Sequence, residues 1–274
     1  MGFRDRGIEI KTREQIDLMR VAGRLVGETL ELLRDAVRPG VTTLQLDALA
    51  ETNIRDHGGI PSFKGYSHPP FPATICASVN DEVVHGIPGP RTLAEGDVIS
   101  IDCGAIVEGW HGDAAITVPV GEVRDDVAEL LRVTEESLWR GMAAARLGGR
   151  VTDISHAVET YVRGQGRYGI LEDYTGHGIG TEMHMPPNVP NVGRRGRGPT
   201  LVEGLALAVE PMVTLGTKHT DLLEDEWTVA TVDGSFAAHF EHTFTLTDRG
   251  TWVLTAVDGG EARLAALGVP FGGR

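Results

Sequence analysis

Apolar positions in this chain recur at helical spacing in two regions, and short strand-like runs follow each. Ile16, Met19, Val26, Leu30 and Leu33 keep a helical period as far as Pro39-Gly40. Thr12-Arg13-Glu14-Gln15 in front of them is a capping box, in which hydroxyl and amide side chain satisfy backbone N–H groups reciprocally. Thr42-Thr43-Leu44-Gln45 opens a second helix that stops near Gly58-Gly59. Strands are predicted over 74–79, 98–103 and 114–118, separated by turns bearing Gly and Pro. The order then recurs, with helices over roughly 125–147 and 152–163 and strands near 205–209, 228–232 and 239–246. Helix, helix, strands, twice, predicts an α+β fold with helices covering one face of a mainly antiparallel sheet.

The recurrence is visible in the residues themselves. Thr92-Leu93-Ala94-Glu95-Gly96, running on to Asp102, aligns with Thr200-Leu201-Val202-Glu203-Gly204, running on to Glu210, at an offset of 108 residues. The same offset relates Glu51-Thr52-Asn53-Ile54-Arg55 to Glu159-Thr160-Tyr161-Val162-Arg163. Each half drives an apolar strand into a carboxylate. With no linker or low-complexity stretch, we expect a single domain over 1–274, duplicated internally, with halves at roughly 12–118 and 125–246. Its carboxylates should converge between the halves, the geometry a metal cluster needs.

Composition narrows the function classes. A net charge of −14 argues against a broad phosphate-binding surface, so sequence-specific nucleic acid is not an expected partner. No apolar run approaches the ~20 residues of a membrane span. The first twenty residues are studded with charge and lack an apolar signal core, and Arg6 stands where an acylation motif at Gly2 needs Ser or Thr. With only Cys76 and Cys103, no disulfide framework is expected, and a cytoplasmic location is the default.

The chemistry concentrates in five residues. Asp102 and Asp113 flank Gly109-Trp110-His111-Gly112, a spacing that suits a strand, a tight turn and a returning strand. Glu210 follows one apolar run, Glu241 lies in His239-Phe240-Glu241-His242-Thr243, and His177 sits among small neighbours in Gly176-His177-Gly178-Ile179-Gly180. Taken singly, a strand-end Asp is ordinarily a turn former and a lone His a satisfied hydrogen-bonding group. The glycine-rich loop lacks the Lys of a phosphate-binding loop. Four carboxylates and one imidazole, symmetrically disposed, instead suit a pair of divalent ions such as Mn, Fe or Co. Such a pair can bridge a hydroxide and polarise a carbonyl.

The segments Asn80-Asp81-Glu82-Val83-Val84-His85-Gly86-Ile87-Pro88, Asp102-Cys103-Gly104 with Gly112-Asp113, Gly176-His177-Gly178-Ile179-Gly180, Glu210-Pro211-Met212 and Glu241-His242-Thr243 resemble those of type I methionine aminopeptidases. The likeness runs from about Thr12 to Leu254. It implies the pita-bread fold, two related αβ halves clasping two divalent ions (Co, Mn, Fe, Zn or Ni). On this likeness Asp102 chelates one ion, Asp113 and Glu241 bridge both, and His177 and Glu210 complete the other, Glu210 also shuttling a proton from the bridging water. His184 would stabilise the tetrahedral oxyanion and His85 approach the scissile amide nitrogen. Phe63, Tyr66, Cys76, Met183 and Trp227 match the pocket for a methionine side chain. Ser67-His68-Pro69-Pro70-Phe71-Pro72 is longer and richer in proline than the usual connector, which bears on the pocket rim and on Phe63.

The implied activity is removal of initiator methionine, through a metal-bridging hydroxide, from nascent or new proteins whose second residue is small and uncharged. A monomer acting on N-terminal Met peptides, with transient ribosome contact, is the expected setting. Two rivals share the scaffold. A prolidase or Xaa-Pro aminopeptidase normally carries a separate N-terminal domain, and a start at Met1 leaves no room for one. A non-catalytic binding protein is expected to lose metal ligands, whereas all five are present.

Overall fold

The computed structural model of this chain describes residues 7–274. Gly2 and Arg6, and with them the start of the segment read for a signal, lie outside the described residues. Helix α1 (Arg13–Ala36) begins at its capping box, where Gln15 N donates to Thr12 Oγ1 at 3.3 Å and Thr12 N to Gln15 Oε1 at 2.8 Å. Helix α2 (Thr43–Asp56) repeats the device with Thr42 and Gln45. Helices α3 (Asp125–Ala144) and α4 (Val151–Gln165) pack on each other, and a short α5 (Glu261–Ala266) follows near the C-terminus. Helix α3 ends before the predicted 147, because the Arg146 guanidinium turns back to donate to the Ala143 and Ala145 carbonyls. Those are carbonyls a helix end would otherwise leave unsatisfied.

The main sheet has nine strands. Its path runs through Ile60–Pro61, Val98–Val107, Trp110–Pro119, Glu241–Thr247, Ala206–Val209, Gly176–Gly178 and Met185–Val189, with Ile75–Val79 and Gly250–Val253 attached at its sides. Every pairing of these strands is antiparallel. One apolar core runs from Leu25 to Val269, through both parts of the chain. The isolated backbone pairings Thr42↔Thr92 and Arg150↔Thr200 stand one repeat apart, as do the first residues of α2 and α4.

Three predicted strands differ from the sequence reading. The predicted 98–103 and 114–118 extend to Val98–Val107 and Trp110–Pro119, closed by Glu108 and Gly109 at φ 50° and 82°. A two-residue turn with both φ positive matches the twist of the strands it joins, so the ladder continues to the turn. Asp102 therefore lies inside a strand rather than at its end. The predicted 239–246 strand divides at Phe240, whose N–H donates to the Pro211 carbonyl at 3.4 Å instead of joining the main ladder. Ala237–His239 pairs with Met212–Thr214 in a separate three-stranded sheet.

The seam between the two parts positions the acids. Strand Trp110–Pro119 meets Glu241–Thr247 with Ala115 opposite Glu241, and on its other side Ala115 stands opposite Asp102. Directly paired residues share a face, as do residues two apart on one strand. Asp102, Asp113 and Glu241 thus surround the small Ala115 on one face. Thr243 Oγ1 donates to the Asp113 carbonyl at 2.8 Å and ties the two strands at this point.

Helix α1 lies against the other face at backbone distance. A Cβ on Gly112 would come within 2.7 Å of Gly23 Cα, and Cβ atoms on Gly23 and Gly27 would meet the carbonyls of Leu254 and Thr255. Alanine in mid-helix gains about 1 kcal/mol in propensity, while overpacking typically costs about 1–3 kcal/mol. Gly27→Ala is therefore expected to lower the urea midpoint despite its better helix propensity. A midpoint equal to or above that of the wild type would disprove the close helix-to-sheet contact.

Candidate metal centre and its apolar pocket

A cavity of about 220 Å³ opens over the seam. The structure brings every one of the sequence-predicted site residues to its walls: Asp102, Asp113, His177, Glu210 and Glu241, the two histidines His85 and His184, and Phe63, Tyr66, Cys76, Met183 and Trp227. Phe71, Tyr174 and His239 also line it, and the sequence reading missed them.

The acids come from separate backbone pieces held in register. Asp102, Asp113 and Glu241 are placed by the three-strand seam, and Glu210 follows strand Ala206–Val209, its carbonyl accepting from Asn191 Nδ2 at 3.1 Å. Three sets of ligating atoms each gather within 4.8 Å: Asp102, Asp113 and Glu241; His177, Glu210 and Glu241; and Asp113, His177 and His184. His177 Nε2 lies 3.6 Å from Glu210 Oε1 and 3.9 Å from both Asp113 Oδ2 and Glu241 Oε1. Its Nδ1 is 3.0 Å from the Gly178 carbonyl. A carbonyl only accepts, so the proton sits on Nδ1 and Nε2 presents a lone pair to the acids. Burial, helped by the nearby His184, pushes the His177 imidazole down to about 3 and keeps it neutral.

Burial pushes the Asp102 carboxyl up to about 7 and that of Glu210 up to about 8. Asp113 and Glu241 are raised well above the usual carboxylate range, first by burial and then by the neighbouring acids. Asp102 Oδ1, Asp113 Oδ1 and Glu241 Oε1 are buried with no hydrogen-bond partner among the described residues. Among those residues no Lys or Arg lines the cavity. Buried oxygens without donors or counter-charges are costly unless a cation meets them. The oxygen-rich set with imidazole nitrogen fits divalent ions of the Mn, Fe, Co or Zn kind.

His184 stands at the mouth, its Nδ1 2.7 Å from the Tyr66 hydroxyl and its ring 4.3 Å, centroid to centroid, from that of His177. His85, in the left-handed conformation at φ 61°, lies between Tyr174 and Trp227 with ring centroids at 5.7 and 6.1 Å. Burial pushes its imidazole down to about 4.

The remaining walls are apolar. Phe63, Phe71, Ala73, Cys76 and Met183 form one buried cluster, with Trp227 against it. The proline-rich connector folds into a closed loop, Phe71 N donating to the Tyr66 carbonyl at 2.9 Å and Gly65 N to the Phe71 carbonyl at 2.8 Å. Its added length leaves Phe63 buried and delivers Phe71 edge-on to Trp227 at 5.0 Å. A phenylalanine amid prolines carried this signal, since an exposed loop rarely spends a large apolar side chain. The signal for His239 was its spacing: residues two apart on one strand face the same way as Glu241.

This buried cluster of acids and imidazole, set in an antiparallel sheet of two joined halves, defines a metallopeptidase. Residues 17–248 match the model of metallopeptidase family M24, and the chain belongs to that family. Within it, the chain is 53% identical over 249 residues to the methionine aminopeptidase of Clostridium acetobutylicum, covering 90% of this chain and 98% of that protein. It is 52% identical to methionine aminopeptidase 1 of Mycobacterium tuberculosis, covering 88% and 92%. The crystal structure of methionine aminopeptidase from Rickettsia prowazekii superposes with a TM-score of 0.88 at 40% identity, covering 90% of this chain and 99% of that one. The architecture is the α+β pita-bread fold these structures share. Prolidase from Pyrococcus furiosus, at 20% identity and a TM-score of 0.72, shares the fold alone and is covered over 66% of its length. Among the described residues no helix is long and apolar enough to cross a membrane.

The raised carboxyls make stability depend on pH in a definite sense. Unfolded acids ionise near pH 4, whereas Asp102 and Glu210 hold their protons to about 7 and about 8 in the folded protein. Between these limits the native state binds more protons, so stability must fall as pH rises. Chelator-treated protein is expected to lose thermal stability from pH 5 to pH 8, and added Mn or Co ions should restore it most at pH 8. A chelated protein that gains stability over this window would show that the acids are not held together as described.

Proposed function

We propose that this chain removes N-terminal methionine from nascent or new proteins whose second residue is small and uncharged. The observation that carries this reading is the single cavity in which four buried carboxylates and a lone-pair imidazole adjoin a wall of thiol, thioether and aromatic groups. Two divalent ions would be held by Asp102 on one side and by His177 and Glu210 on the other, with Asp113 and Glu241 shared between them. Such ions, of Mn, Fe, Co, Zn or Ni, would supply Lewis acidity toward the scissile carbonyl and lower the pKa of water toward 7. Glu210, whose carboxyl loses its proton once a cation meets it, takes the proton of the attacking water on its carboxylate and releases it to the leaving amine.

His184 and His85 act on the substrate. With the Tyr66 hydroxyl donating to Nδ1, the His184 proton sits on Nε2, a donor for the developing oxyanion. His85 meets the scissile amide nitrogen from the Trp227 side. Phe63, Phe71, Cys76, Met183 and Trp227 take the methionine side chain, whose thioether favours contact with aromatic rings. Tyr66, lining the same cavity and partly exposed, completes that pocket at its rim. We further propose that residues 1–274 act as one catalytic domain with halves at 12–118 and 125–246. The setting we propose is a cytoplasmic monomer with transient ribosome contact.

Asp113→Ala and Glu241→Ala should each abolish turnover, because each removes a group shared by two ions. A folded variant keeping more than about a tenth of the wild-type rate, where loss of transition-state stabilisation should cost orders of magnitude, would overturn the bridging roles.

His184→Ala should lower kcat roughly a hundredfold or more while bound metal stays at the wild-type level. A proportional loss of metal would instead make His184 a ligand.

The substrate class is tested by kcat/KM on Met-Ala-Ser, norleucine-Ala-Ser, Leu-Ala-Ser, Met-Lys-Ser and formyl-Met-Ala-Ser. Norleucine should be cleaved more slowly than methionine, since a small change in a hydrophobic pocket is worth about 1–3 kcal/mol. Efficient cleavage of the Leu or formylated peptide would refute the assignment.

A further inference from the structure

His239 is fully buried, and neither ring nitrogen has a hydrogen-bond partner among the described residues. Such a group is rare in a folded protein, because a buried polar atom left unpaired typically costs ~1–3 kcal/mol. The ring lines the acid cavity, and its Nε2 lies 3.5 Å from Glu210 Oε2 and 3.9 Å from Glu241 Oε2. His177 Nε2 stands at nearly the same distances, 3.6 and 3.9 Å, from the other oxygens of the same two residues, Oε1 in both cases. Two imidazoles therefore flank one pair of carboxylates, each facing one oxygen of each acid. His177 faces Asp113 as well.

The break at Phe240 creates this arrangement. Because strand Ala237–His239 belongs to the smaller sheet and Glu241–Thr247 to the main one, His239 enters the cavity on different backbone from Glu241. The neighbouring sheet thus supplies a second nitrogen, facing the oxygens of Glu210 and Glu241 that His177 does not.

We propose that His239 Nε2 is a sixth protein ligand, meeting the ions across Glu210 and Glu241 from His177 so that each of the two ions has one imidazole. This rests on the two-ion reading above. A nitrogen donor on that side shifts the second position away from Mg or Ca and toward Fe, Co, Ni or Zn. It also explains why an imidazole with no partner persists in a buried, tightly packed wall: its partner is the cation.

Loading with Co(II) alone provides the test. Proton NMR of the Co(II)-loaded wild type should show two hyperfine-shifted, solvent-exchangeable imidazole N–H signals, one for each coordinated ring. His239→Gln should retain the signal of His177 and lose the other. Its second equivalent of Co(II), followed by calorimetric titration, should bind about ten- to hundredfold more weakly, the scale on which groups supporting a metal site act. A wild type with two bound Co(II) ions but one such signal overturns the proposal without any variant. So does a second signal that survives in His239→Gln and vanishes in His184→Gln. Failure of the underlying reading looks different: the wild type would bind fewer than two Co(II) ions, or bind two and leave Met-Ala-Ser uncut.

Discussion

Burial of four carboxylates in one cavity, compounded by their mutual repulsion, is the constraint around which this molecule is arranged. Asp102, Asp113, Glu210 and Glu241 would separate if the backbone let them. It does not, because each is fixed by a different strand or strand end, and the two ladders that hold Asp102, Asp113 and Glu241 meet at Ala115. A methyl group at that point leaves room for three acid side chains around it, and the Thr243 hydroxyl fastens the joint from the strand alongside. The glycine contacts beneath α1 serve the same end from the opposite face, bringing helix backbone onto sheet backbone behind the acids. A rigid frame that concentrates negative charge is unfavourable alone and favourable around a divalent cation. Folding energy stored this way becomes affinity for metal.

Much of this frame was legible in the residues. Both capping boxes announced their helices, and the offset of 108 residues marked related segments whose backbone pairings stand one repeat apart. The ligating types were legible because carboxylates followed apolar runs, where a charge is out of place. What the sequence hid depended on contacts between distant residues. Strand Val98–Val107 outran its predicted end, since Gly104 looks like a breaker in isolation but lies where Phe63 and Ser62 leave no space for a side chain. Phe240 looked like the middle of a strand, and only the Pro211 carbonyl reveals why it divides two sheets. His239 and Phe71 had signals of their own, a two-residue spacing from Glu241 and an apolar side chain amid prolines, but only the folded chain brings them to the cavity.

The apolar wall and the metal-ligating wall share a strand pair. Cys76 stands opposite Asp102 in the ladder between Ile75–Val79 and Val98–Val107. The distance from Cys76 to the acids is therefore set by strand spacing rather than by a flexible loop. Burial and the nearby acids push the Cys76 thiol well above its usual range, so it remains an uncharged, polarizable surface beside a charged centre. Side-chain recognition and acid chemistry can then operate side by side without a second anion entering the pocket.

The hydrogen bond between Tyr66 and His184 has a further consequence for how such an enzyme can change. One partner belongs to the loop that borders the entrance, and the other stands over the reacting centre. Any alteration that reshapes the loop to admit a bulkier chain also moves the hydroxyl that fixes the imidazole's proton and orientation. On the proposed function, breadth of substrate and speed of reaction are linked at this one contact: a wider doorway would also displace the group that stands behind it.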